Sequence, residues 1–198
     1  MMNCEFCYKD LNTNFSFINL FSFNKENYCE HCKEKLSLKV YKHKSYKLYY
    51  LAHYEFIKDK IYSIKYFGDI KKAESFKAAL NNFLQKNHFD LVLIAPSNRT
   101  REAIRGFNHV KIICDIAEIP YKDIFIEPYR LKQSKLYSER KYHNFSLNKD
   151  FTNNIISAKS ILIIDDIFTS GNTLESLALV LLKINKELKI SFLCLGKS

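Results

Sequence analysis

A chain of 198 residues with 47% hydrophobic side chains can bury one α/β-sized core and is too apolar to be globally disordered. No apolar run approaches the ~18 residues of a membrane span, and the polar start Met1-Met2-Asn3-Cys4 lacks the form of a signal peptide, so a cytoplasmic protein is expected. The formal net charge of +10 is unevenly placed, with 11 Lys and Arg against 4 Asp and Glu in residues 33–72 and 6 against 1 in residues 130–149, which suits either a polyanionic partner or solvated lysine faces.

The first motif in the chain is a duplicated cysteine pair. Cys4-Glu-Phe-Cys7 and Cys29-Glu-His-Cys32 are separated by 21 residues. Each pair can present two thiolates to one tetrahedral ion, and four thiolates leave no open position, so a structural Zn²⁺ is expected. Between the pairs, Phe15, Phe17, Ile18, Leu20, Phe21 and Phe23 suit a short hairpin, giving a zinc-ribbon-like module over residues 1–38. A cytoplasmic setting weighs against disulfides, and the duplication weighs against a redox dithiol. Cys114 and Cys194 have apolar neighbours and read as core residues.

Residues 39–198 are expected to form the second domain. Between Tyr41 and Tyr66 lie seven of the chain's 13 tyrosines, interleaved with lysines. Bases stack on rings while lysines neutralise phosphates, so Lys39, Lys42, Lys44, Lys47, Tyr46 and Tyr49 are candidate contacts for single-stranded nucleic acid. An ordinary strand and amphipathic helix with a tyrosine face would look the same. The patterning predicts a strand over 48–56, a helix over 57–67 and, after the break at Gly68-Asp69, a helix over 70–85.

A buried strand over 89–96 then runs into Ser97-Asn98-Arg99, Arg101 and Arg105-Gly-Phe-Asn108, and arginine offers fork-shaped donors to phosphate. A helix over 101–118 and a strand over 124–127 follow. Residues 128–158 read as a basic connector, suited to a mobile lid or to a solvated linker. Next comes the richest stretch, Ile161-Leu-Ile-Ile-Asp-Asp-Ile-Phe-Thr-Ser-Gly-Asn-Thr173. Four aliphatic residues suggest a strand covered on both faces, ending in the paired acids Asp165 and Asp166. Thr169, Ser170, Gly171, Asn172 and Thr173 supply hydroxyls, a glycine free to take positive φ and backbone N–H groups, which together make an anion cradle ahead of a helix over 172–186. A last strand covers 189–195. Strands alternating with helices predict an α/β fold with a mostly parallel sheet and helices on both faces.

The strand, double acid and hydroxyl-glycine loop resemble the 5-phosphoribosyl-1-pyrophosphate (PRPP) motif of type I phosphoribosyltransferases. That resemblance implies that Asp165 and Asp166 bind the ribose and act as the catalytic acids, and that residues 169–173 hold the 5′-phosphate. It also implies that Ser97, Asn98 and Arg99 hold the pyrophosphate, with Mg²⁺ accompanying PRPP. Over nearly the whole chain, the order of motifs is similar to that of the ComF family: both cysteine pairs, Lys65-Tyr-Phe-Gly68-Asp69, Pro96, Arg105-Gly-Phe-Asn108, Gln133 with Arg140 and Asn144, then Asp165-Asp166. Membership would imply a type I phosphoribosyltransferase-like fold and a part in natural transformation through single-stranded DNA. The implied partners include a competence helicase or DNA-processing protein. The alternative is an active phosphoribosyltransferase serving an unidentified acceptor outside competence.

Overall fold

Alternation along one strand, Ser160–Phe168, organises the protein. Ile161 and Ile163 face one helical layer and Leu162 and Ile164 the other, each at most 1% exposed. The computed structural model describes residues 3–11, 28–126 and 145–198. The expected cysteine-module hairpin, apart from its ends, and the segment with Gln133, Arg140 and Asn144 lie outside the described residues.

The described helices are α1 (Glu30–Lys35), α2 (Tyr54–Phe67), α3 (Glu74–Lys86), α4 (Arg99–Arg105), α5 (His109–Ile116), α6 (Thr152–Ser157) and α7 (Asn172–Leu182). The strands are β1 (Lys39–His43), β2 (Tyr46–His53), β3 (Leu91–Ile94), β4 (Phe125–Ile126), β5 (Ser146–Leu147), β6 (Ser160–Phe168) and β7 (Lys189–Lys197). Five of them form a sheet in the order β1-β2-β7-β6-β3, in which only the β1–β2 pair is antiparallel. The carboxyl ends of β2, β7, β6 and β3 therefore share one edge, where sheets of this kind bind ligands. Helices α2, α3 and α5 and the cysteine module pack on one face, α6 and α7 on the other. The expectation of a mixed α/β architecture with helices on both faces is met. Among the described residues no helix is long and apolar enough to cross a membrane.

Four local departures from the sequence reading have physical causes. Strand β1 falls in the lysine-rich stretch, where no strand is expected. It is an edge strand with Val40 57% exposed, so it lacks an apolar face to betray it. The single helix expected over 101–118 is two, because Gly106 takes φ +84° to end α4 and the Asn108 side chain accepts from Val110 N–H and Lys111 N–H to start α5. Residues 145–157, assigned to the connector, form β5, a 3-10 turn and α6, with Ile155 buried. Finally, β6 runs past the acids to Phe168 because β7 continues beside it, pairing Asp165 with Cys194 and Phe168 with Lys197.

Candidate functional site

The cysteine pairs converge. The Sγ atoms of Cys4, Cys7, Cys29 and Cys32 all lie within 4.8 Å of one another, with Cys7 and Cys29 at 3.7 Å. Tetrahedral thiolates with bonds of ~2.3 Å place sulfurs about 3.8 Å apart, so the cluster has the dimensions of a metal site. None of the six cysteines is joined in a disulfide. The first pair sits on a turn closed by Tyr8 N–H donating to Cys4 C=O at 2.9 Å, and the second opens α1, with Cys29 as N-cap. The module is fastened to α2: Phe6 stacks on Phe56 with centroids 4.7 Å apart, and Lys60 lies over the rings of Phe6 and Tyr8 at 4.5 and 4.8 Å. Replacing Cys4 and Cys7 by serine should remove the bound metal, read by elemental analysis of the purified protein. It should also lower the melting temperature, because the loop between the pairs loses its closure. Unchanged metal content would count against the cluster as a metal site.

The other end of α2 reaches the carboxyl edge of the sheet. Lys65 Nζ forms an ion pair with Asp166 Oδ2, and His109 Nε2, from the first turn of α5, lies 3.3 Å from the same oxygen. Behind the imidazole, Arg105 Nη1 is 2.6 Å from His109 Nδ1. A guanidinium only donates, so Nδ1 is the acceptor and the neutral ring carries its proton on Nε2, toward Asp166. Burial pushes the His109 pKa down against the pull of Asp166, which keeps the ring in that neutral form.

The adjacent acids are thereby driven apart. Burial alone would raise the Asp166 pKa, but the adjacent His109 ring and the Lys65 ammonium outweigh it and hold the carboxyl well below the usual range. For Asp165 the balance goes the other way: desolvation and the neighbouring Asp166 charge outweigh the Asp166 N–H and the attraction of Lys65, and push its carboxyl well up. Its Oδ1 accepts from Asp166 N–H at 2.8 Å. One acid is thus held ionised while its neighbour is biased toward a protonated donor, a division of roles that two identical residues acquire only from their surroundings.

Beside the acids, residues 169–173 form the loop that opens α7, and a small cavity of about 40 Å³ is lined by Asp165 and the loop. Gly171 takes φ +81°, and a Cβ built on it would lie 2.7 Å from His43 Nε2 and 2.9 Å from the Phe168 ring. The loop is clasped from the β1–β2 turn. His43 Nε2 and Lys44 Nζ each lie 2.5 Å from the Glu175 carboxylate, which is almost fully buried on the first turn of α7. Desolvation of Glu175 is more than offset by Lys44 and His43, and its pKa is lowered.

The remaining candidates are dispersed. Ile94 pairs with Ile164, so Ser97 and Asn98 leave β3 alongside the acids. Ser97 is buried and Asn98 caps α4, accepting from Arg101 N–H at 3.1 Å; the Arg99 side chain lies outside the described residues. In the Lys/Tyr stretch, Lys42 and Lys47 are exposed, Lys39 donates to Ser37 C=O at 3.1 Å and Lys44 is held by Glu175. Tyr49 is buried with its ring 4.8 Å from that of Phe83, and Tyr46 packs on Phe192 at 4.8 Å, so both rings serve the core. Lys65 entered the sequence reading only as the start of the Lys65-Tyr-Phe-Gly68-Asp69 motif, with no role, and His109, His43 and Glu175 did not enter it. Only Glu175 carried a local signal, a charge on the apolar face of a helix.

The arrangement defines a mixed α/β protein with a Cys4 cluster on one helical face and a candidate anion site at the carboxyl edge of its sheet. No family model matches the chain. Competence protein ComFC of Bacillus subtilis (strain 168) is 29% identical over 148 residues, 73% of this chain and 61% of that protein. Competence protein ComFC of Streptococcus pneumoniae (strain ATCC BAA-255 / R6) is 31% identical over 120 residues, 60% of this chain and 54% of that protein. The chain is distantly homologous to ComFC, and the matched region spans less than two thirds of either relative.

Proposed function

We propose that this protein binds PRPP, as its Mg²⁺ complex, at the carboxyl edge of the sheet, and that it serves DNA uptake by binding single-stranded DNA. The observation that carries the reading is the adjacent acid pair, with Lys65 and His109 converging on Asp166 and Asp165 lining one cavity with the Gly171 loop. Ribose hydroxyls both donate and accept, so an ionised Asp166 and a carboxyl at Asp165 suit them better than two identical anions. Lys65 and His109 converge on Asp166 Oδ2, leaving hydroxyl recognition at this residue to Oδ1. The loop amides and hydroxyls of Thr169, Ser170 and Thr173 suit a monoester phosphate, and Ser97, Asn98 and Arg99 are assigned the pyrophosphate. Zn²⁺ is the ion that best fits four converging thiolates. Homology to ComFC supports the place in competence, and the exposed Lys42 and Lys47 supply cations for a DNA backbone.

Calorimetric titration with Mg²⁺-PRPP tests the site. Asp165→Asn with Asp166→Asn should weaken binding about 100-fold, the scale of one charge-assisted and one neutral hydrogen bond, while leaving the metal content unchanged. No binding by the wild-type protein, or normal binding by the double variant, would overturn the assignment. For DNA, Lys42→Ala with Lys47→Ala should reduce the slope of log affinity against log salt by about 1.4 for a single strand.

Transfer of the phosphoribosyl group to an acceptor is the second reading, favoured by an open cleft next to Thr169. There the bond from C1 to pyrophosphate would break with its electron pair leaving on the pyrophosphate, while a lone pair of the acceptor forms the new bond to C1 and the acceptor gives up its proton to solvent. The ionised Asp166 would stabilise the positive charge developing on the sugar. Acceptor-dependent release of pyrophosphate distinguishes this reading from binding alone.

A further inference from the structure

The clasp on Glu175 poses an electrostatic problem that the sugar-phosphate site by itself does not answer. Glu175 stands on the first turn of α7, where its N–H donates to Gly171 C=O at 2.9 Å, and it is 4% exposed. Desolvation raises its pKa, but Lys44 and His43 outweigh that and the net shift is downward, so the carboxyl is ionised. The positive end of a helix favours negative charge, and here the protein has already placed a carboxylate beside it. A buried charge is weakly screened, so an uncancelled Glu175 would repel any phosphate held by residues 169–173.

The β1–β2 turn supplies the cancellation, with Lys44 Nζ and His43 Nε2 each 2.5 Å from a carboxylate oxygen. Lys44 does so from a costly backbone: its φ is +54°, in the left-handed region that glycine or asparagine takes more readily. The position holds a lysine despite that cost, which the ion pair offsets. Lys44 is also the accessible member of the cluster, its side chain 55% exposed against 15% for His43 and 6% for Glu175. His43 lies directly against the loop, its Nε2 2.7 Å from the place of a Cβ on Gly171 and its ring 4.9 Å from that of Phe168. The turn therefore meets both the backbone of the loop and the charge behind it.

We propose that the β1–β2 turn is a regulatory latch on the phosphate loop: Lys44 is a positioning residue that acts through Glu175, cancelling its charge, and the loop takes a phosphate tightly only while the turn is in place. The inference rests on the sugar-phosphate reading of residues 169–173 and deepens it by naming what regulates that site. The latch works by charge. A clasp that only braced the loop would weaken binding whichever partner was removed, whereas a charge latch gives opposite signs for the acid and the base.

Calorimetry with ribose 5-phosphate and with Mg²⁺-PRPP on three variants tests the latch. Glu175→Gln removes the negative charge and keeps a side-chain oxygen for Lys44 and His43, so binding should tighten at least about threefold. Lys44→Gly relieves the turn and strands the carboxylate, so binding should weaken about tenfold. Combining the two should restore affinity to within about threefold of the wild type. If Glu175→Gln binds no more tightly than the wild type, or the double variant no better than Lys44→Gly, the proposal is overturned. Should Lys44→Gly not fold, the Glu175→Gln result decides alone. The two ligands separate the readings. Binding of both with equal affinity across the variants keeps the sugar-phosphate site and removes the latch. The expected order with ribose 5-phosphate, without binding of Mg²⁺-PRPP, keeps the latch and removes the PRPP assignment. No binding of either ligand by the wild type overturns both.

Discussion

Lys65→Met is expected to destabilise the protein by about 3 kcal/mol, which for a domain of this size lowers the melting temperature by roughly 6–12 °C. Lys65 and Asp166 are 23% and 10% exposed in their side chains, so removing the ammonium leaves a largely buried carboxylate with only the neutral His109 beside it. The cost comes from that stranded charge more than from the lost attraction. Adding Asp166→Asn to Lys65→Met should therefore recover most of the loss, and a thermal-denaturation double-mutant cycle measures the coupling. If the single variant melts with the wild type, the pair does not hold the edge of the sheet. The pH dependence has a definite sign. The folded pKa of Asp166 is depressed below its unfolded value of ~3.9, so the pair's stabilisation is complete above about pH 4 and is lost as pH falls toward the folded value.

A similar loss, about 3 kcal/mol, is expected for Gly171→Ala. The backbone at φ +81° costs an alanine about 1–2 kcal/mol, and the new methyl group must displace His43 or the Phe168 ring from within 3 Å, a further ~1–3 kcal/mol. Either displacement disturbs the clasp on Glu175, so binding of Mg²⁺-PRPP should fall with stability. Gly106→Ala is the control. Its φ is also positive, at +84°, but nothing lies within 4 Å of the added Cβ, so only the backbone part of the cost should appear. Equal melting temperatures for the two variants would mean that crowding by His43 and Phe168 does not constrain the loop.

What the chain announces locally was legible without coordinates. The run Ile161–Ile164, buried on alternate faces, identified the central strand, because a strand covered on both sides needs apolar residues at every position. The duplicated Cys-x-x-Cys spacing identified a cluster that does close, within 4.8 Å, because each pair satisfies half of a tetrahedron by itself. The loop that opens α7 was readable for the same reason: hydroxyls, a glycine and a helix start lie in five consecutive residues.

Tertiary structure decided the roles within those motifs. Asp165 and Asp166 are chemically identical in the sequence, and only Lys65 from α2 and His109 from α5 make one of them the ionised partner. Tyr49 and Tyr62 belong to the same tyrosine-rich stretch, yet the pleat of β2 sends the first into the core and the turn of α2 leaves the second in a cleft beside Thr169. His43 and Lys44 meet Glu175 across 132 and 131 positions of chain. Local periodicity and spacing report what a residue does to its own element. The charge state of a buried group is set by whatever the fold brings within a few ångströms, and no pattern along the chain encodes that distance.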